Sequence, residues 1–314
     1  MCGISGIVNF KGSNGAALKS ANSVIRHRGP DDEGYLTWAP GEAMHLWAGT
    51  DTAPASRDVL QLKVLPDEQM FKVGFGHRRL SIIDLSPAGH QPMVLHEAGL
   101  AICFNGEVYN YLEVKAELEE LGVRFHTKSD TEVVLQAWHK WGENALQKFN
   151  GMFAFLMLDS KRQVIYAVRD RFGVKPLYYA HTSEYLALGS EVKQLRTLPA
   201  YQFRLNEKIA YQYLHFSHID HDRETFETGI MQVRPGHFLK VDIKTNVVSE
   251  LPWYHLKPRI WSGTEQEAIE GFAAVLKDAV KLRMRSDVPV GSALSGGLDS
   301  STIVCLMRQV LDDE

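Results

Sequence analysis

The chain has 314 residues, enough for two domains, and its balance of 45% hydrophobic and 23% charged residues excludes a disordered or low-complexity polypeptide. A formal net charge of −4 gives no electrostatic reason to expect nucleic acid or an anionic membrane as partner. Cys2, Cys103 and Cys305 form neither a disulfide framework nor a metal-ligating spacing, no apolar run reaches the ~20 residues of a membrane span, and no signal-peptide pattern opens the chain, so the expected location is the cytoplasm.

In chain order, Ile4, Ile7 and Val8 predict a strand at the extreme N-terminus. Arg79 to Leu85 (RLSIIDL) and Leu100 to Phe104 (LAICF), rich in β-branched and aromatic residues, are further strands. Tyr111, Val114, Leu118 and Leu121 recur at helical spacing, with Gly122 as the stop. Ser129 and Glu132, three apart, predict a capping box at the start of a second helix. Met152 to Leu158 and Val164 to Val168 read as two strands joined by the polar turn Asp159-Ser160-Lys161. Strands interspersed with helices favour an α+β domain of layered sheets over residues 1–200. A less regular stretch follows, with a turn at Arg234-Pro235-Gly236.

From Thr264 the character changes. Thr264 and Glu267 form a second capping box, and Ile269, Phe272, Leu276 and Val280 mark one face of a long helix. Val288 to Leu294 predicts a strand, Ser295 to Ser301 a small-residue loop, and Ser300 to Leu311 a helix. That order opens a parallel α/β domain, so residues 201–314 are expected to be a linker followed by the incomplete start of one.

Cys2 is the first chemical candidate. Removal of Met1 would put a thiol and a free α-amine on one residue, and an α-amine of reference pKa ~7.7–8.0 can serve as its own thiol's base. Three further features are chemical candidates. Arg79 offers a planar donor fork for a carboxylate, Asp130 an anion for an ammonium, and the Asn105 amide with the Gly106 N–H a pair of donors for an oxyanion. Taken singly, each has a plainer reading: Asp130 as a helix-start acid, Asn105-Gly106 as a hairpin turn, Arg79 as a surface ion-pair partner. His77 and His90 are read as structural, and Arg26 and Arg28 are given no direct catalytic role.

These residues occur in an ordered series of motifs. MCGISGIVNF places Gly3 and Gly6 around the nucleophile's strand, leaving the backbone open there. RHRGPD (Arg26 to Asp31), HRRLS (His77 to Ser81), NGE (Asn105 to Glu107) and SDTE (Ser129 to Glu132) follow. GMFAF (Gly151 to Phe155), RDRFG (Arg169 to Gly173) and GSEVK (Gly189 to Lys193) complete the series. Together they closely resemble the class II glutamine amidotransferase domain of asparagine synthetases. The resemblance implies the N-terminal-nucleophile hydrolase fold, a layered α/β/β/α sandwich. It also implies a glutamine pocket lined by Arg79, Leu80, Ser81, Ile82, Ile83, Asn105, Gly106, Glu107 and Asp130.

The loop SGGLDSS lacks the lysine of the nucleotide-triphosphate loop and resembles the pyrophosphate loop of ATP pyrophosphatases (adenine nucleotide α-hydrolase-like). Backbone N–H groups at a helix start suit phosphate oxygens, and Asp299 would suit Mg²⁺. The resemblance implies ATP contacts at Leu294, Ser295, Gly296, Gly297, Leu298, Asp299, Ser300 and Ser301. Ser286 to Gly291 also matches the synthetase domain.

Two departures stand out. The connection from Trp38 to Lys72 is longer than the family requires and reads as a loop-rich insertion. The remainder of the synthetase domain is absent, so either the chain is truncated or a separate chain carries the rest. The expected activity is glutamine-dependent asparagine synthesis: glutamine hydrolysed at Cys2, and its ammonia used to amidate an ATP-activated aspartate. The substrates would be glutamine, aspartate and ATP, with Mg²⁺ for the synthetase half and a homodimer as one assembly. Two rivals remain open at this point: amidation of another carboxylate, such as a sugar acid or natural-product precursor, and a non-catalytic fragment that needs a partner chain.

Overall fold

The computed structural model describes residues 1–199 and 201–313. It divides into two compact units, Met1–His255 and Leu256–Glu314. Apolar runs too continuous for a half-exposed strand become central strands buried on both faces. GMFAFLMLD is the clearest case, with its last seven residues all buried.

The first unit holds strands β1 (Gly3–Asn14), β2 (Asp32–Trp38), β3 (His45–Ala48), β4 (Met70–Arg79), β5 (Met93–Leu95), β6 (Leu100–Val108) and β7 (Gly151–Asp159). It continues with β8 (Val164–Arg169), β9 (Tyr178–His181), β10 (Tyr185–Gly189), β11 (Ile230–Gln232), β12 (His237–Asp242) and β13 (Val247–Pro252). Its helices are α1 (Gly15–Ser23), α2 (Pro54–Val59), α3 (Tyr111–Glu120), α4 (Asp130–Trp141), α5 (Ala145–Lys148), α6 (Val192–Leu195) and α7 (Glu207–Phe216). One sheet runs β11-β9-β10-β1-β4-β2-β3, the other β13-β12-β8-β7-β6-β5, and the paired strands within each are antiparallel.

Three apolar layers hold this arrangement. Ile4, Val8, Phe75, Cys103, Leu156 and Leu188 belong to the layer between the sheets. Phe104, Phe155, Val134 and Trp138 seat α3 and α4 on the outer face of the second sheet. Ile7, Leu18, Tyr35 and Leu195 seat α1 and α6 on the outer face of the first. The result is an α/β/β/α sandwich, as the motifs implied.

Neutral His77 crosses between the sheets: its Nε2–H donates to the Phe104 carbonyl at 2.9 Å, and burial lowers its pKa to about 3. The Cys103 thiol makes a second crossing, to the Gly76 carbonyl at 3.2 Å. Gly3 and Gly6 do not leave open space by the nucleophile. A Cβ at Gly3 would strike Ile25, and one at Gly6 would strike Leu156 of the facing sheet, so both glycines serve close packing.

Several local expectations need correction. The predicted strand Arg79 to Leu85 ends at Arg79, because the chain then wraps the Arg79 guanidinium and passes through a positive φ of 56° at Asp84. Ser129 caps α4 through the Thr131 N–H, but Glu132 completes no capping box. Its carboxylate turns back to the N–H groups of His126 and Thr127. The compact first unit runs past residue 200, because β12 and β13 extend the second sheet and Trp253 is buried against its outer face.

The long connection from Trp38 to Lys72 contains β3 and α2 and is tied down. Asp51 pairs with Arg78 at 2.8 Å and with Arg26 at 3.0 Å, while Ser56 donates to Asp32 at 2.9 Å.

The second unit contains α8 (Glu265–Arg283), opened by the expected Thr264–Glu267 capping box, and α9 (Leu298–Asp313). Val288 to Leu294 is not a strand. No other strand lies among the described residues of this unit to take up its hydrogen bonds. Among the described residues no helix is long and apolar enough to cross a membrane.

Candidate active site

β1 and β4 are neighbours, so the chain's first residues lie beside the end of β4. Gly3 pairs with Arg78, which brings Cys2 to Leu80. The Leu80 N–H donates to Cys2 Sγ at 3.3 Å, and the thiol donates back to the Leu80 carbonyl at 3.5 Å. Burial pushes the Cys2 thiol pKa up, and the Leu80 N–H works against it. The Cys2 carbonyl is held by Arg28 Nε at 2.9 Å, and Arg28 is anchored through Nη1 to Glu191 at 3.1 Å.

Cys2 lines a cavity of about 290 Å³. Arg79, Leu80, Ile82 and Ile83 line it from the end of β4 and the loop beyond. Asn105, Gly106 and Glu107 line it from β6, and Asp130 from the start of α4. Nucleophile and proposed donors therefore come from opposite sheets. Ser81 is not on the lining; its N–H is committed to Asp31 at 2.8 Å.

Asn105 is fully buried, and among the described residues neither its side-chain nitrogen nor its oxygen has a protein hydrogen-bond partner. A buried amide left unpaired costs ~1–3 kcal/mol, so it calls for a partner such as water or a ligand, or for a catalytic role. Gly106 sits so close to β7 that a Cβ there would collide with the Met152 carbonyl, which leaves its backbone as the only chemistry the position offers.

Arg79 is buried, and its two terminal nitrogens are steered by the Ser86 and Asp84 carbonyls, the former at 3.1 Å. The guanidinium is thus a pre-set cation on the cavity wall. Asp130 Oδ2 accepts from the Val108 N–H at 3.0 Å. Burial raises its pKa to about 7 against that hydrogen bond, and Glu107 adds to the rise. A cationic ligand group would supply the charge it lacks.

Gln91, Lys175 and Met152 are among the wall residues that sequence reasoning missed. Gln91 ties β6 to α4, accepting from Phe104 N–H at 2.7 Å and donating to Thr131 Oγ1 at 3.2 Å. Lys175 and Met152 also reach the cavity. Lys175 stands two residues beyond RDRFG, and Met152 is inside GMFAF, so the motifs carried signals for both. Arg28 lay within a motif too, and its hold on Cys2 was not anticipated.

In the second unit, SGGLDSS is an exposed turn into α9. Gly296 has φ +81°, and Ser295 Oγ lies 3.0 Å from Ser300 Oγ. No atom crowds a Cβ at Gly296, so the loop's backbone is open to a ligand, and Asp299 stands in the first turn of α9. Among the described residues no group of three or more His, Cys, Asp or Glu could hold a metal.

A family model described as a glutamine amidotransferase domain matches residues 64–254, and one described as asparagine synthase matches residues 271–313. Asparagine synthetase [glutamine-hydrolyzing] 1 of Bacillus subtilis is 33% identical across 98% of this chain and 44% of its own. Amidase chry2 of Gibberella zeae is 32% identical across 99% of this chain and 43% of its own. The chain spans about half the length of the curated relatives it matches.

Among solved structures, the glutamine phosphoribosylpyrophosphate amidotransferase of B. subtilis aligns with TM-score 0.58 at 18% identity, over 98% of this chain and 64% of that one. A second, an allosteric regulatory enzyme of purine biosynthesis, aligns with TM-score 0.56 at 21% identity, over 82% of this chain and 50% of that one. These likenesses concern the fold, which is the N-terminal-nucleophile hydrolase sandwich that the motifs implied. With a family model covering more than half of its length, the chain belongs to the glutamine amidotransferase domain family.

Proposed function

We propose that the first unit hydrolyses glutamine at Cys2, and that in the whole protein the ammonia amidates an ATP-activated aspartate to give asparagine. The observation that carries the reading is the fully buried Asn105 amide, without a protein hydrogen-bond partner among the described residues, in the cavity that holds Cys2. After Met1 is removed, the thiol proton passes to the Cys2 α-amine, and Sγ adds to the glutamine side-chain carbonyl carbon. The charge that gathers on the carbonyl oxygen is met by Asn105 Nδ2–H and the Gly106 N–H. The C–N bond then breaks, the α-ammonium returns its proton to the leaving amine, and ammonia departs. Water hydrolyses the thioester to glutamate. Arg79 takes the substrate carboxylate and Asp130 its ammonium, while Leu80, Ile82, Ile83 and Glu107 complete the wall.

The exposed stretch from Leu294 to Asp299 would take the phosphates of ATP, with Ser295, Gly296, Gly297 and Leu298 around them and the half-buried Ser300 and Ser301 beside them in α9. Asp299 would offer one carboxylate to Mg²⁺, which usually keeps waters and phosphate oxygens as its other ligands. ATP supplies activation of the acceptor carboxylate.

The test is glutamate release from glutamine by the 314-residue chain beside Cys2→Ala, with the N-terminal residue read by mass. Release that vanishes in the variant supports the reading. Equal release from both chains would exclude Cys2 as the nucleophile.

A further inference from the structure

Lys175 is 4% exposed and lines the cavity that holds Cys2. Lysine is seldom so buried without a carboxylate partner. Among the described residues its backbone is hydrogen-bonded, and its ammonium has neither an ion pair nor a hydrogen bond. A structural ion pair therefore does not account for it.

Its placement is rigid. The Lys175 N–H donates to Asp170 Oδ2, and its carbonyl accepts from Arg169 Nε, each at 2.9 Å. Asp170 Oδ2 also accepts from the Phe153 N–H at 3.2 Å, on the strand that pairs with Gly106 and Glu107. The lysine thus hangs from a scaffold continuous with the proposed oxyanion donors. The charged and titratable groups around it come from every neighbouring element. Cys2 and the Met1 amine of the unprocessed chain precede β1, Glu107 is on β6, Arg28 follows α1, and Asp170 is on its own loop; Asp31, also after α1, faces the Met1 amine. Arg79 and Asp130 line the same cavity.

We propose that Lys175 is a positioning residue for the nucleophile: its ammonium disfavours a second cation on the amine that acts as base and favours the thiolate of Cys2. This rests on the reading of Cys2 as nucleophile. Burial draws the Lys175 pKa down, and Glu107 and Cys2 hold its proton on. In the unprocessed chain the Met1 α-amine is likewise drawn down, first by burial and then, against Cys2, by Arg28 and Lys175. In the thiol-to-amine proton transfer, Lys175 neither gives nor takes a proton.

The experiment uses the full chain as wild type, Lys175→Met and Lys175→Arg. Iodoacetamide alkylation of Cys2 is followed by peptide mass from pH 5 to 10, which separates it from Cys103 and Cys305, and glutamate release is followed beside it. In the Met variant the alkylation midpoint should rise by about one pH unit, slowing alkylation at pH 7 about tenfold. The acid limb of kcat/KM should move the same way, and Lys175→Arg should keep both midpoints near wild type. A Met variant with wild-type midpoints, or an Arg variant that behaves like it, overturns the proposal. If circular dichroism shows the Met variant unfolded, Lys175→Gln against Lys175→Arg decides by the same midpoints. A wild-type chain that releases no glutamate but shows the Lys175-dependent midpoint would refute the glutaminase reading and leave this proposal standing. Glutamate release with unmoved midpoints would do the reverse.

Discussion

Arg28 Nε donates to the carbonyl oxygen of Cys2 at 2.9 Å, and so fixes the peptide that carries the thiol. Its other anchor is Glu191, which also meets His27 and Lys193. The side chain is buried, yet it is absent from the cavity wall. Arg28→Met should therefore lower kcat for glutamine hydrolysis by about 10–100-fold, the loss expected when a reacting atom is misplaced by about 1 Å, and leave KM within about threefold. Steady-state kinetics on glutamine reads both parameters. A rise in KM with kcat unchanged would assign Arg28 to substrate binding instead.

Asp130 sets stability against function. Its folded pKa of about 7 lies above the ordinary carboxylate value, so the folded state holds a proton that the unfolded state has lost between those two values. The stability tied to that proton is fully present below the unfolded pKa and is lost as pH rises through 7. Asp130→Asn removes the buried charge and keeps an acceptor for the Val108 N–H. It should raise the melting temperature at pH 8, by an amount corresponding to ~1–3 kcal/mol, and leave it nearly unchanged at pH 4. Glutamine affinity should collapse in the same variant. In the wild type, KM should climb as pH falls below 7, because the neutral carboxyl no longer attracts the substrate ammonium. Thermal melts at the two pH values and a KM–pH profile check the three statements.

Asn105→Ala removes a side chain whose polar atoms have no protein hydrogen-bond partner among the described residues. Loss of one oxyanion donor should lower kcat by ~10²–10³-fold. Folding stability should fall by less than the ~2–5 kcal/mol of a core truncation, because no protein hydrogen bond is broken. Urea denaturation beside single-turnover kinetics separates the two. A large stability loss with modest kinetic loss would make Asn105 a packing residue.

The fold and the principal wall residues were legible for different reasons. Apolar periodicity was enough for β6, β7 and α3, whose buried faces are local properties of their own sequence; α8 forms as its capping box predicts, although Ile269 and Phe272 of its apolar face are exposed. The Arg79–Leu85 segment misled because its β-branched residues are there to line a cavity and surround a guanidinium, and propensity cannot distinguish that from a ladder. Val288–Leu294 misled because a strand is defined by its neighbours. Glu132 fits a capping box by spacing alone, yet the backbone N–H groups of His126 and Thr127 compete for it and win. Arg28 and Lys175 lie in or beside motifs, but their nearness to Cys2, like the place of Gln91 on the cavity wall, could not be read from local pattern, because it is made across long sequence separations.

The Cys2 thiol and the proposed oxyanion donors stand on facing slabs, kept in register by the His77 and Cys103 crossings and by the tight seat of Gly6 against Leu156. The gap between the slabs is a mechanical dimension of the proposed reaction. A methylene added or deleted in that filling, far from any substrate atom, alters the distance over which bond making must occur. Turnover then works as a calliper on interior thickness, sensing a misfit too small to open the fold.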